Sequence, residues 1–303
     1  MATAAFGTPW GADRLLGLRA ADPRISLYRV EKEMPMTSIR PTPRPLARNL
    51  VLAALGLTVA LAFPSPARAL GDIVGGEAAP WFQGFSGSAR IDKGSMAGTN
   101  FDFKSDLGLD NRDTSPMGRV WFRLGKSHLI FDYSDSSRTG RNTISKDITF
   151  NGTTYTATDT VDSRLDLKLY KTTWRFSFVN LKVVEFGAGL GFNAAKIDAQ
   201  LDSTSAGSTR LNQTVPFPTV NASLIVKPFP GFHIRTELDG LSVDVSGNKV
   251  TIYDARVQLE WYFLHAFGVQ AGYRQFRFDV NANDFGHVES TFKGPYVGLG
   301  VKF

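Results

Sequence analysis

From Trp81 to Phe303 apolar and polar residues alternate with a period of two, the signature of strands whose two faces meet unlike surroundings. In the last segment Val297, Leu299, Val301 and Phe303 share one face, while Tyr296, Gly298, Gly300 and Lys302 share the other. Between Asp254 and Phe263 the contrast is sharper. Ala255, Val257, Leu259, Trp261 and Phe263 stand opposite Asp254, Arg256, Gln258, Glu260 and Tyr262. Between Val184 and Phe192 the polar face shrinks to Glu185 and Gly187, Gly189 and Gly191, which predicts open space on that side. The pattern predicts ten strands, over 81–92, 116–124, 128–138, 161–179, 183–200, 210–227, 232–245, 250–263, 267–280 and 288–303.

The connections then choose an architecture. Those at 125–127, 180–182, 228–231 and 264–266 are tight; those at 93–115, 139–160 and 201–209 are long and polar, and the one at 247–248 is short. Short turns at one end and longer loops at the other are the habit of transmembrane barrels, with the short turns on the periplasmic side. The expectation is an all-β, antiparallel up-and-down transmembrane barrel of about ten strands, with eight as the alternative count. Both termini are then expected in the periplasm. Phe122, Trp174, Phe176, Phe178, Trp261, Phe263, Phe267 and Phe303 cluster near the short turns, where an interfacial girdle would lie. A soluble β-sandwich would also alternate, but its outward face would be polar. Here one face is apolar while the other carries Arg, Glu and Asp on several strands.

The N-terminal part reads differently. A basic stretch after Met36, with Arg40, Arg44 and Arg48, precedes the 14-residue apolar run Leu50–Phe63, and small residues follow at Ala67 and Ala69. This is the layout of a secretory signal peptide over 36–69, cleaved after Ala69 to leave a barrel over 70–303. Its apolar run is too short to span a bilayer. Residues 1–35 add nothing a signal needs and are expected to be an extension upstream of a true start at Met36. Composition matters only after this cut. The first 69 residues hold 9 basic and 4 acidic residues, which leaves 25 basic against 24 acidic in the remainder. The overall charge of +6 is therefore mostly a property of the leader, and no nucleic-acid partner is implied. With no cysteine, no disulfide can staple the exported chain.

The ending Tyr296-Val297-Gly298-Leu299-Gly300-Val301-Lys302-Phe303 resembles the C-terminal sorting signal of outer-membrane barrels, with Tyr296, Gly298, Val301 and Phe303 at its spaced positions. That resemblance implies recognition by the barrel-assembly machinery. Asp106-Leu107-Gly108-Leu109-Asp110, Pro228-Phe229-Pro230-Gly231-Phe232, Ala271-Gly272-Tyr273-Arg274 and Gly294-Pro295-Tyr296, taken in order, resemble a family of uncharacterised proteobacterial outer-membrane β-barrels over most of 100–303. The resemblance implies location and fold and brings no established activity. The expected partners are outer-membrane lipid and lipopolysaccharide, with the export translocon and the assembly machinery during biogenesis.

Catalytic, cofactor and metal sites are not expected. His128, His233 and His265 fall at short turns; His287 falls on the long-loop side near Asp284 and Glu289 and is the one candidate for rim chemistry. None of the four has Ser two residues later, as barrel-type lipid A deacylases require. The oxygen-rich stretch from Asn100 to Asp113 lacks the glycine and glutamate spacing of a calcium loop, and turn chemistry accounts for it. The remaining constellation is the polar face: Arg90, Arg119, Arg123, Asp132, Arg175, Glu185, Lys227, Asp239 and Asp254, with Arg235, Glu237, Arg256, Glu260 and Arg274 as a charge network. Arg256 and Glu260 are expected to face Arg274 and Glu237. Charges of both signs in a narrow lumen must pair, because an isolated one costs several kcal/mol. The function expected is a non-enzymatic barrel with a structural, surface-interaction or narrow-pore role; the alternatives are a small-solute channel and a rim-located hydrolase acting on lipid or peptide.

Overall fold

A computed structural model describes residues 73–92, 97–245, 248–263, 266–283 and 286–303. The expected leader with Ala67 and Ala69, as well as His265 and Asp284, lies outside the described residues. Ten strands form one antiparallel wall: β1 (Val74–Ile91), β3 (Arg112–Leu124), β4 (Ser127–Thr143), β7 (Thr160–Asn180), β8 (Val184–Ser203), β9 (Gly207–Phe229), β10 (Phe232–Val245), β11 (Asn248–Tyr262), β12 (Phe267–Ala282) and β13 (Gly286–Lys302). Each pairs with the next, and β13 closes on β1 from Gly75↔Lys302 to Ile91↔Gly286. The result is a ten-stranded transmembrane β-barrel. Each predicted segment falls on one wall strand. Both ends of the described chain meet at the short-turn end, where the Ile73 amide donates to the Phe303 carbonyl at 2.7 Å.

The wall is taller than the sequence pattern indicated. β1 begins at Val74 rather than Trp81, and the expected loop at 201–209 is only a turn at 204–206, because β8 and β9 run on to Ser203 and Gly207. Three minor strands belong to the loops: β2 (Phe101–Asp102) pairs with β1, and β5 (Ile148–Phe150) pairs with β6 (Thr153–Tyr155). β9 pairs with β10 only from Phe229↔Phe232 to Val220↔Gly240. Above that point β9 carries Pro216 and Pro218, residues that have no N–H to leave unpaired on a strand edge.

Every bilayer-crossing strand must be apolar outside, but only over about 25 Å of its height. The wall obeys this by exchanging its faces partway up. On β12 the outward series Phe267, Val269, Ala271 and Tyr273 is apolar, and then the inward series Phe276 and Phe278 takes over while Gln275 and Arg277 face out. On β13 inward Val288 and Phe292 give way to outward Pro295, Val297 and Leu299. On β7 inward Val161, Leu165, Leu167 and Leu169 give way to outward Tyr170, Trp174 and Phe178. The exchange falls at a row of tyrosines, Tyr133, Tyr170, Tyr253 and Tyr273, with the first two rings 5.3 Å apart. From Tyr253 to Trp261 on β11 is eight residues, about 26 Å along the strand and about 20 Å along the barrel axis at the usual tilt. The short-turn half is therefore a lipid-facing barrel with a polar inside, and the loop half is a water-facing barrel with an apolar inside.

Candidate functional site

The polar lumen is filled by side chains. Arg119 on β3 holds Asp132 on β4 at 2.9 Å and reaches Glu237 on β10 at 2.6 Å. Glu237 also accepts from Arg175 on β7 at 2.8 Å. Arg256 on β11 reaches Asp132 at 3.3 Å, and Arg235 holds Glu260 at 2.5 Å. One layer higher, Lys171 bridges Asp239 at 2.9 Å and Asp254 at 2.7 Å, and Arg274 completes the group on Asp254 at 2.7 Å. The links of Glu237 to Arg119 and Arg175, of Asp132 to Arg256, and of Lys171 to Asp239 and Asp254 join strands that are not neighbours in the wall, while the others join adjacent strands. Such charges tolerate burial because each is paired and hydrogen-bonded. Glycines make the room. A Cβ on Gly187 would lie 3.2 Å from the Arg175 chain, and one on Gly272 would lie 2.5 Å from the Tyr296 ring, whose hydroxyl donates to Gln258 at 2.6 Å.

The sequence-derived network is thus inside the barrel, with different partners from those expected. Arg256 stands in register between Glu237 and Arg274, yet its ion pair crosses the lumen to Asp132. Glu260 joins Arg235 and His233, and Arg274 joins Asp254. Arg90 was expected on the inward face. It faces out, because Ala89 and Ile91 hold the inward positions of β1, and it pairs with Asp92 at 3.3 Å. Glu77 and Lys171 were missed: the first lies before the predicted start of β1, and the second alternates inward with Thr173 and Arg175, a signal present in the sequence. Glycines 187, 189 and 191 leave no open space, since a Cβ at each would strike a neighbour within 3 Å.

Above the charges Arg138 closes the polar zone, donating to Gln83 at 2.9 Å and to the Asp110 carbonyl at 2.8 Å while its guanidinium lies 4.7 Å from the Phe85 ring. A dry cap follows. Phe85 packs on Phe292 at 4.9 Å and on Phe103 of the first long loop at 5.3 Å; Phe101 meets Phe150 of the β5–β6 hairpin at 6.2 Å. Ile144, Ile148 and Tyr155 are fully buried there. In the first loop Asp102 accepts from the amides of Lys104 and Ser105, and Asp106 accepts from the Asp102 amide, so these carboxylates serve the turn. The Tyr155 hydroxyl donates to the Leu201 carbonyl at 2.8 Å, and burial pushes its pKa up to about 12. A raised acid stabilises the protonated form, so its support of the cap is whole below about pH 10 and is lost as pH rises through about 12. Ultraviolet titration of wild type against Tyr155→Phe should give a difference curve with one phenol titrating near 12. A missing phenol that titrates near 10 would show the hairpin undocked.

Among the described residues, His128 does not complete a serine–histidine–acid chain. His128 Nε2 lies 2.9 Å from Ser177 Oγ and 3.1 Å from Glu185, but Ser177 donates to that same carboxylate at 2.7 Å. A serine nucleophile would give its proton to the imidazole, with the acid on the other ring nitrogen. Here one nitrogen contacts both. His287 lies on the outward series of β13, 3.1 Å from Asp279 and near Glu289, which Arg277 already holds at 2.6 Å.

A closed ten-stranded wall, an outward apolar band and a filled lumen define the transmembrane barrel class. No protein-family model and no curated protein sequence matches the chain. Among solved structures it is similar to the outer membrane protease OmpT from Escherichia coli, at 10% identity and a TM-score of 0.52, over 78% of this chain and 99% of that one. It also matches Ail, the attachment invasion locus protein of Yersinia pestis, at 11% identity and a TM-score of 0.34, over 76% of this chain and 99% of that one. The likeness to OmpT is one of fold.

Proposed function

We propose that this chain resides in the outer membrane, with both termini in the periplasm, as a non-enzymatic barrel with a structural or surface-interacting role. The observation that carries the reading is the ion network joining β3, β4, β7, β10 and β11 across the lumen, under a dry cap of loop phenylalanines. Small barrels fill their interior in this way, and a filled interior leaves no solute path. Outer-membrane lipid and lipopolysaccharide would surround the apolar band. Phe303, half-buried beside Val74 at the closing seam, is suited to the role of assembly signal together with Tyr296, Gly298 and Val301. The outward position of His287 weighs against a rim hydrolase. Purified full-length barrel in planar bilayers tests the proposal: wild type should conduct weakly or not at all. Large, steady currents would overturn it in favour of a small-solute channel.

A further inference from the structure

At the short-turn mouth, beneath the ion network, lies a cavity of about 40 Å³. Its wall carries six cations: Arg119, Arg123, Arg175, Lys227, Arg235 and Lys302. Two carboxylates, Glu185 and Glu260, face them. Adding the charged side chains just behind, Glu77, Asp132, Glu237 and Arg256, gives seven side-chain cations against five side-chain carboxylates. The surplus is local to the mouth. Glu185 alone serves both Arg123 at 3.5 Å and Lys227 at 3.2 Å, while Lys302 lies 4.3 Å over the Tyr262 ring.

A second observation points the same way. Arg119 is 7% exposed, and its Nη1 has no hydrogen-bond partner although Nε and Nη2 are both engaged. A buried guanidinium nitrogen without an acceptor costs free energy, so the layer directly behind the cavity carries an unpartnered donor as well as surplus positive charge. Guanidinium groups present paired N–H donors in a plane that fits an oxyanion, and lysine adds a mobile point charge. Arg123 and Lys227 are the more exposed members, with side chains 21% and 23% accessible, so they stand at the entrance.

We propose that this vestibule binds one small free oxyanion of the phosphate or sulfate class, admitted through the mouth where Ile73 and Phe303 meet. The enclosed space holds a few water-sized groups, which suits a single tetrahedral oxyanion, and the site is luminal, so a lipid headgroup held in the bilayer does not reach it.

The test is calorimetric titration of the full-length barrel, in an uncharged detergent, with inorganic phosphate and with sulfate. One saturable site is expected, at which the two ions compete. Lys227→Gln and Arg123→Gln should each weaken it at least tenfold, whereas Lys227→Arg and the outer-wall control Lys168→Gln should leave it within about twofold. Heat-modifiable migration establishes that each variant is folded. Glycerol phosphate should bind at least tenfold more weakly than phosphate; equal binding would point to headgroup recognition and overturn the proposal. Absence of saturable phosphate binding to wild type, or equal binding by the Lys168 and Lys227 glutamine variants, also overturns it, and the wild-type result decides even if the glutamine variants do not fold.

Discussion

Replacing Glu237 by Ala is expected to destabilise the folded barrel by about 3–5 kcal/mol, the cost of stranding buried charge. Glu237 is the acceptor for Arg119 at 2.6 Å and Arg175 at 2.8 Å, and Arg235 stands 3.7 Å away. Arg119 keeps Asp132 after the change, but the ion pair of Arg175 is with Glu237 alone among the described contacts. The stranded group is therefore Arg175, whose side chain is 2% exposed. Two responses can relieve it: water enters the lumen, or the wall loosens. Both are measurable. Urea unfolding in lipid vesicles should shift to a clearly lower midpoint, and single-channel recording should show brief openings absent from wild type. Glu237→Gln, which keeps an acceptor but not the charge, should fall between. A Glu237→Ala barrel with wild-type unfolding and no openings would mean that the network does not hold the lumen shut.

The same network shows what the sequence made legible. Period-two alternation located the ten strands because it follows from geometry alone: successive side chains on a strand point to opposite faces. It also placed Arg235, Glu237, Arg256, Glu260 and Arg274 on the polar face. Partners were harder, because strands far apart in the chain meet only across the closed barrel. Asp132 and Arg256 are 124 residues apart, and no local register joins them. Cross-strand neighbours such as Arg256 and Glu237 can be guessed from a meander; diametric pairs cannot.

The exchange of faces was present in the sequence and went unread. In the segment 161–179 the apolar residues are first odd-numbered, at Val161, Leu165, Leu167 and Leu169, and then even-numbered, at Tyr170, Trp174, Phe176 and Phe178. Segment 267–280 does the reverse, from Phe267, Val269, Ala271 and Tyr273 to Phe276, Phe278 and Val280. Alternation survives such a switch, so the strand assignment is unaffected. What changes is the solvent: lipid demands an apolar outside, and water demands an apolar inside. The parity of the grease thus records where the bilayer ends. The loop cap follows from this, because an apolar lumen open to water would expose Phe85, Phe276 and Phe292, and the phenylalanines at 101, 103 and 150 cover them.

An arginine moved along the outer face of β9 should therefore meet two different solvents. Val220 is 61% exposed at the middle of the outward apolar run Pro218, Val220, Ala222 and Leu224, in register with outward Leu190 of β8. Asn212, eight residues further toward the loops, is also outward and exposed, opposite Asp198. At the bilayer midplane an outward arginine costs about 2–4 kcal/mol, falling toward zero at the interface. Beyond the interface a surface substitution stays within about 0.5 kcal/mol. Val220→Arg should thus lose about 2–4 kcal/mol of stability in vesicles, whereas Asn212→Arg should be near neutral, helped slightly by Asp198. Neither change touches the lumen, so neither should alter conductance or phosphate binding, which separates this measurement from the plug and from the vestibule. Equal costs at the two positions would place both in one solvent and sink the boundary drawn at Tyr133, Tyr170, Tyr253 and Tyr273. A large cost at Asn212 alone would put the bilayer around the loop half, where the outward face carries Arg164, Asp166, Asp198 and Arg210, and their ion pairs Arg164–Asp166 and Arg210–Asp198 would then have to survive in hydrocarbon.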